Sequence, residues 1–173
     1  MHPSPEQKAQ FTALLMSHRG LLYKVSRIYG RSASERNDLA QEIVVNLWQA
    51  YPRYDARLKF STWMYRIALN VAISWRRREA TQTRHLVPTG EEILQNAADL
   101  ETPFAGTDSD LALLYMSIER LDELDRALLM LYLDGLSHQD ISVVLGISTT
   151  NIATKIGRLK VRLRDSFRAA GHL

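Results

Sequence analysis

The stretch from Ser137 to Arg164, SHQDISVVLGISTTNIATKIGRLKVRLR, constrains the fold of this chain more than any other. Ser137 followed three residues later by Asp140 reads as a capping box, so a short helix starts there and carries Ile141, Val144 and Leu145 on one side. Gly146 stops that helix and Ile147 fills the turn. Ser148 followed by Asn151 then reads as the cap of a second helix that runs through Arg164. Two helices joined this tightly must cross steeply, which is the helix-turn-helix pattern; its second helix is normally laid in the DNA major groove.

On the wheel of that second helix, Ile152, Ile156, Leu159 and Leu163 make one apolar stripe. Opposite it lie Thr150, Ala153, Thr154, Gly157 and Val161. Lys155, Arg158 and Arg162 flank these on one side, Lys160 and Arg164 on the other. Short groups at the centre let the backbone approach base edges while long cations reach phosphates. A basic helix alone is usually a solvated surface, but the caps, the turn glycine and this face together favour DNA docking.

With 173 residues, 46% of them hydrophobic and 24% charged, the chain can build one ordinary domain or two small ones. It has no apolar run of transmembrane length and no basic start leading into a signal-peptide core. The expectation is a cytoplasmic protein without direct membrane insertion. The absence of cysteine excludes disulfides and thiolate metal sites. His2, His18, His85, His138 and His172 form no ligand pair at helical spacing. With no phosphate loop and no nucleophile beside a base, neither catalysis nor a cofactor is expected.

The net charge of +3 conceals a segregation. Residues 1 to 79 carry 13 Lys+Arg against 6 Asp+Glu, 80 to 110 carry 1 against 6, 111 to 140 carry 2 against 6, and 141 to 173 carry 6 against 1. Two basic blocks separated by acidic sequence point to two nucleic-acid surfaces, where cations displace counterions from phosphates.

Ser4, Pro5 and Gln7 make a helix start, and Phe11, Leu14, Leu15, Leu22, Val25 and Tyr29 predict one amphipathic helix ending near Gly30. Ser34 is the expected cap of a second helix that runs to Tyr51 before Pro52, with Leu39, Ile43, Leu47 and Tyr51 inward. Its outward stripe is Asp38, Gln41, Glu42, Val45 and Gln49. The third helix, FSTWMYRIALNVAISWRRR, takes Ser61 as its cap. It has a core row of Phe60, Met64, Ile67, Val71 and Trp75 and a second apolar row of Tyr65, Leu69 and Ile73, so both sides need cover. Trp63, Tyr65, Arg66, Asn70 and the cluster Arg76, Arg77, Arg78 mix aromatics with cations, a combination that stacks unpaired bases and holds a single strand. Periodicity fails from Ala80 to Asp110, which reads as a linker with a short helix near Glu91 to Ala98. It resumes at Leu111, Leu114, Tyr115, Ile118 and Leu121. After LDELD, Leu128, Leu129, Tyr132 and Leu133 carry a helix to Gly135.

Together, DLAQEIVVNLWQAY, RYDARLKFSTWMYRIALN and WRRR in the first half, and LDELDRALLMLYLDGLSHQDISVVLGISTTNIATKIGRLKVRLR in the second, resemble regions 2 and 4 of an extracytoplasmic-function sigma factor of the bacterial sigma-seventy family. The resemblance implies an all-α fold. Region 2 would be a helical bundle over residues 5–79 and region 4 a helix-turn-helix bundle over 111–168, joined by a flexible acidic linker over 80–110. It also implies core RNA polymerase and promoter DNA as partners. Asp38, Gln41, Glu42 and Gln49 would dock on the polymerase clamp. Trp63, Tyr65, Arg66 and Asn70 would open the minus-ten element, and the loop from Tyr54 to Lys59 would capture a flipped base. Arg76, Arg77 and Arg78 would touch the duplex upstream. Thr150, Asn151, Ala153, Thr154, Lys155, Gly157, Arg158 and Arg162 would face the minus-thirty-five element. An anti-sigma factor would wedge between the two domains.

The chain departs from the family at Ala153, where a basic residue is common, at Gly157, where a larger one is, and at Asp122, where proline is usual. Minus-thirty-five reading is therefore expected to lean on Thr154, Arg158 and DNA shape. The rival readings are a two-domain helix-turn-helix regulator that acts without polymerase, and a helical adaptor that binds no DNA.

Overall fold

The computed structural model describes residues 4–83, 114 and 116–169, and among the described residues there are helices and turns but no strand. The all-α expectation holds. The chain divides into two compact units, residues 1–100 and 101–173. Most of the acidic stretch, including the short helix expected near Glu91 to Ala98, lies outside the described residues, as do Leu111 and Tyr115.

The first unit contains α1 (Pro5–Ser17), α2 (Arg19–Tyr29), α3 (Ala33–Ala50), a 3-10 turn (Tyr51–Arg53) and α4 (Phe60–Thr83). The single helix expected up to Gly30 is in fact two. The Ser17 hydroxyl donates to the Leu14 carbonyl, and His18 Nδ1 lies 2.9 Å from the same oxygen. Side chains thus compete for the backbone acceptors at the break. His18 also packs its ring against Phe60, a tertiary contact that periodicity cannot foresee. The start of α1 is as expected, with Ser4 and Gln7 bonded reciprocally.

The cap of α3 is Ser32 rather than Ser34. Its hydroxyl accepts from Glu35 N, while the Glu35 carboxylate accepts from Arg31 N. Helix α4 starts at Phe60, where the Lys59 carbonyl accepts from Trp63 N, so Ser61 sits in the first turn and is not the cap. As expected, α4 is covered on both sides. Phe60, Met64 and Val71 of one row and Tyr65 and Leu69 of the other are all buried, against Val25 and Tyr29 of α2 and Leu39, Ile43 and Leu47 of α3. Gly30, the C-cap of α2, sits tightly against the first turn of α3. A Cβ there would lie 2.9 Å from both Arg36 N and Ser26 O, so a larger residue would have to push backbone aside.

The second unit contains α5 (Glu123–Leu133), α6 (His138–Leu145) and α7 (Thr149–Ala169). Each helix starts on a side-chain cap: Asp122 accepts from Asp125 N, Ser137 from Asp140 N and Ser148 from Asn151 N. Asp122, where the family pattern has proline, does its work by hydrogen bonding instead. Gly146 adopts φ 69°, the left-handed conformation that ends α6, and the Ser142 hydroxyl donates to the Ile147 carbonyl across the turn. Helix α7 continues past Arg164 to Ala169.

The core of this unit joins Ile118, Leu121, Leu128 and Leu131 to Ile141, Val144, Ile152, Ile156 and Leu159. Leu133, one of the apolar residues that mark this helix in the sequence, ends α5 with its side chain exposed. Beneath the start of α5, Arg126 is 6% exposed and donates to the carbonyls of Ile118, Glu119 and Leu121. A buried guanidinium is costly unless it is satisfied in this way.

Candidate nucleic-acid interface

The outward stripe of α3 exists as a surface. Leu39, Ile43 and Leu47 take the inner face, which leaves Asp38, Gln41 and Gln49 exposed around Val45, an apolar side chain 51% exposed in the middle of them. Glu42 is less exposed than its neighbours because it accepts a 2.5 Å salt bridge from Arg78 on α4. Arg78 in turn lies over the Trp75 ring, 5.7 Å from its centroid. The stripe and the arginine cluster are therefore adjacent and linked by an ion pair.

At the other end of α4, Phe60 and Trp63 meet Tyr54, Tyr51, Trp48 and Phe11 in a continuous aromatic cluster. Trp63 is half-buried at its edge. Arg66 and Asn70 follow at helical spacing on the exposed side, and Arg77 lies further along. Tyr65 is different. At 3% exposure its ring belongs to the core, so of its two expected roles, second apolar row and DNA contact, packing takes the first. Arg76 is half-buried and Lys59 exposed.

The loop between Tyr54 and Lys59 is held by its own groups. The Tyr54 hydroxyl donates to the Leu58 carbonyl at 2.7 Å, and Leu58 N donates to the Asp55 carbonyl. Arg57 folds back on Asp55, giving side-chain contacts of 2.6 to 3.0 Å and a further bond from its backbone N–H. Burial pushes the Tyr54 phenol above its ordinary value, with Tyr51 and Asp55 adding to the effect. It stays a neutral donor at physiological pH. The Arg57 side chain, and then its backbone N–H, hold the Asp55 carboxyl below its usual range.

Beside this loop is a recess of about 660 Å³, with Gln7, Gln10 and Leu14 of α1 on one wall and Tyr51, Pro52 and Tyr54 on the other. The sequence marks Gln7 only as a helix-capping residue and gives Gln10 no role. Only the fold brings the first helix next to a loop some forty residues later, and an exposed Gln in an amphipathic helix carries no local signal of that.

In the second unit, Thr150, Asn151, Ala153, Thr154, Gly157 and Arg158 are all exposed on α7, so the surface of short groups is present as drawn. The Thr154 hydroxyl donates to the Thr150 carbonyl and keeps its lone pairs for accepting. A Cβ at Gly157 would meet nothing within 4 Å, so no internal packing demands a glycine there. Lys155 and Arg162 are turned differently. Lys155 Nζ donates to Asp125 Oδ1 at 2.8 Å, and Arg162 Nη1 lies 3.8 Å from Asp125 Oδ2. Among the described residues no group of side chains could hold a metal ion, and no helix is long and apolar enough to cross a membrane.

Residues 14–82 match the family model described as Sigma-70 region 2, and residues 111–163 match Sigma-70, region 4. The RNA polymerase sigma factor NccH of Alcaligenes xylosoxydans xylosoxydans is 26% identical over 160 residues, covering 88% of this chain and 84% of that one. The ECF RNA polymerase sigma factor SigX of Bacillus subtilis is 24% identical over 148 residues, covering 83% and 76%. The fold is similar to that of the sigma factor RpoE from Bartonella quintana, solved in complex with the anti-sigma factor NepR. That likeness has a TM-score of 0.71 at 16% identity and covers 92% of this chain and 97% of that one.

Proposed function

This chain belongs to the sigma-70 family of RNA polymerase sigma factors, in its extracytoplasmic-function branch, and we propose that it binds core polymerase, reads a minus-thirty-five and a minus-ten element, and opens the DNA at the latter. The observation that carries this reading is the order of the two matched regions, each with an exposed recognition surface of suitable chemistry. The working domains are taken as residues 5–79 and 111–168, with the acidic 80–110 between them.

Asp38, Gln41, Glu42 and Gln49 are the proposed polymerase contacts, with Val45 as the apolar centre that a protein interface needs. Lys59, Trp63, Arg66, Asn70, Arg76, Arg77 and Arg78 are proposed to hold the minus-ten DNA. Tyr54 and the recess beside it receive an extruded base. Unstacking a base costs a few kcal/mol, so a site that holds it supplies both melting and selectivity. Tyr65 acts from beneath, by packing. Thr150, Asn151, Ala153, Thr154, Gly157 and Arg158 are proposed to face the minus-thirty-five major groove, with Arg158 the long cation among short neighbours. An anti-sigma protein belongs among the proposed partners, since RpoE was solved with one.

Run-off transcription with purified core enzyme tests the proposal. Initiation at discrete sites only when this chain is added is the expected result. Tight binding to a palindromic duplex without polymerase, and no initiation, would instead favour the two-domain regulator.

A further inference from the structure

Of the eight residues expected on the minus-thirty-five surface, two are bound to the protein itself, and the geometry points to a separate role for them. We propose that Asp125 is a positioning residue for the recognition helix. It holds Lys155 against the start of α5, with the more exposed Arg162 3.8 Å from the same carboxylate, so that Lys155 sets the seat of α7 and does not contact phosphate. The inference rests on the reading of α7 as the minus-thirty-five reader.

Three observations carry it. The pair is sheltered: the Asp125 side chain is 12% exposed and that of Lys155 27%, well short of a solvated surface bridge. Breaking a sheltered pair leaves one charge uncompensated, so such pairs hold geometry more firmly than exposed ones do. The acceptor is also anchored. Asp125 lies in the first turn of α5, where its own N–H is held by the Asp122 cap, and its neighbour Arg126 is tied to three carbonyls of the preceding segment. A carboxylate at a helix N-terminus is in addition favoured by the exposed N–H groups there.

The third observation is the spacing. Lys155 and Arg162 are seven residues apart, two turns along one edge of α7, and Leu159 between them is buried against the core. The carboxylate therefore fastens the helix at Lys155 beside its apolar stripe and attracts Arg162 two turns on, which resists rotation. Rotating α7 would move Thr154 and Arg158 relative to base edges, where displacements of an ångström matter.

The test uses the full chain assembled with core polymerase. The probes are a fluorescent duplex from a promoter mapped by run-off transcription and a duplex of equal length with the upstream element scrambled, each titrated across a salt series. Lys155→Gln and Asp125→Asn are each expected to lower the preference for the true element by about tenfold, in the range of coupling between contacting residues. The slope of log affinity against log salt should stay at its wild-type value. The double variant should lose no more than either single one, and Lys155→Arg and Asp125→Glu should retain the preference.

If Lys155→Gln instead weakens both duplexes equally and flattens the slope by about 0.9, the loss of one phosphate contact, the positioning role is overturned while the minus-thirty-five reading stands. Additive losses in the double variant would overturn it as well. If the wild-type chain shows no preference for the true element, the reading of α7 itself falls and takes this inference with it.

Discussion

The two units build their proposed recognition surfaces in opposite ways. In the first, long cations and amides project from α4 and the aromatics beside them are drawn into a cluster, so the exposed chemistry rests on a wide tertiary foundation. In the second, α7 exposes short groups close to its backbone, and two of its cations are turned back on the protein. A surface suited to a rigid duplex can be nearly flat and locally specified, with each helix start closed by a neighbouring side chain. A surface meant for unpaired bases needs recesses and rings, and those come from residues far apart in the chain. The contrast teaches that local capping can specify the first kind and only packing the second.

The harshest way to break this comparison is to remove Trp63. The ring contacts Tyr51, Tyr54 and Phe60, so Trp63→Ala should cost the first unit about 3 kcal/mol. Fluorescence of Trp48 and Trp75, both in that unit, would report the lowered denaturant midpoint, while amide exchange along α7 should be unchanged. Gly146→Ala is the converse. Forcing a Cβ into φ 69° should destabilise the second unit by about 1 to 2 kcal/mol and speed exchange in α6 and α7, leaving tryptophan fluorescence as it was.

A smaller change has the opposite sign. Since nothing surrounds Gly157, Gly157→Ala should stabilise the second unit by up to about 1 kcal/mol in thermal unfolding. If binding to the upstream element weakens at the same time, close approach of DNA is the reason for the glycine. Unaltered binding would leave the residue without a role.

The mildest probe is pH. The Asp55 carboxyl is held below its ordinary value, so the native loop favours the ionised form. Its support is present above the ordinary carboxylate pKa and is lost as pH falls through the lowered one. Protection of the Arg57 and Leu58 amides, measured against their intrinsic exchange rates at each pH, should therefore fall on acidification, and Asp55→Asn should show the lower protection at neutral pH. Tyr54 works the other way: with its phenol raised, support from the neutral form is lost only as pH climbs above the ordinary tyrosine range.

How much was legible in the sequence follows the same division. The helix-turn-helix emerged with its caps at Ser137 and Ser148 and its glycine at 146, because each signal acts within three or four residues. The break at His18 is not legible, since it depends on a ring meeting Phe60, and the α3 cap falls two residues before the expected Ser34, at one of two serines that differ only in context. Tyr65 carries two signals, apolar row and DNA contact, and only packing decides between them; capture of Lys155 is hidden for a related reason. Periodicity says which way a side chain points but not whether another helix stands there.

The buried guanidinium of Arg126 has a practical consequence for anyone wishing to study the second half by itself. Its three carbonyl acceptors belong to Ile118, Glu119 and Leu121, all upstream of the helix that carries it. A fragment cut to begin at Glu123 would retain every residue of the helix-turn-helix yet remove those acceptors, leaving a charge with less to hold it in the interior. The smallest autonomous piece must reach back at least to Ile118, and a shorter one that failed to bind would say nothing about α7.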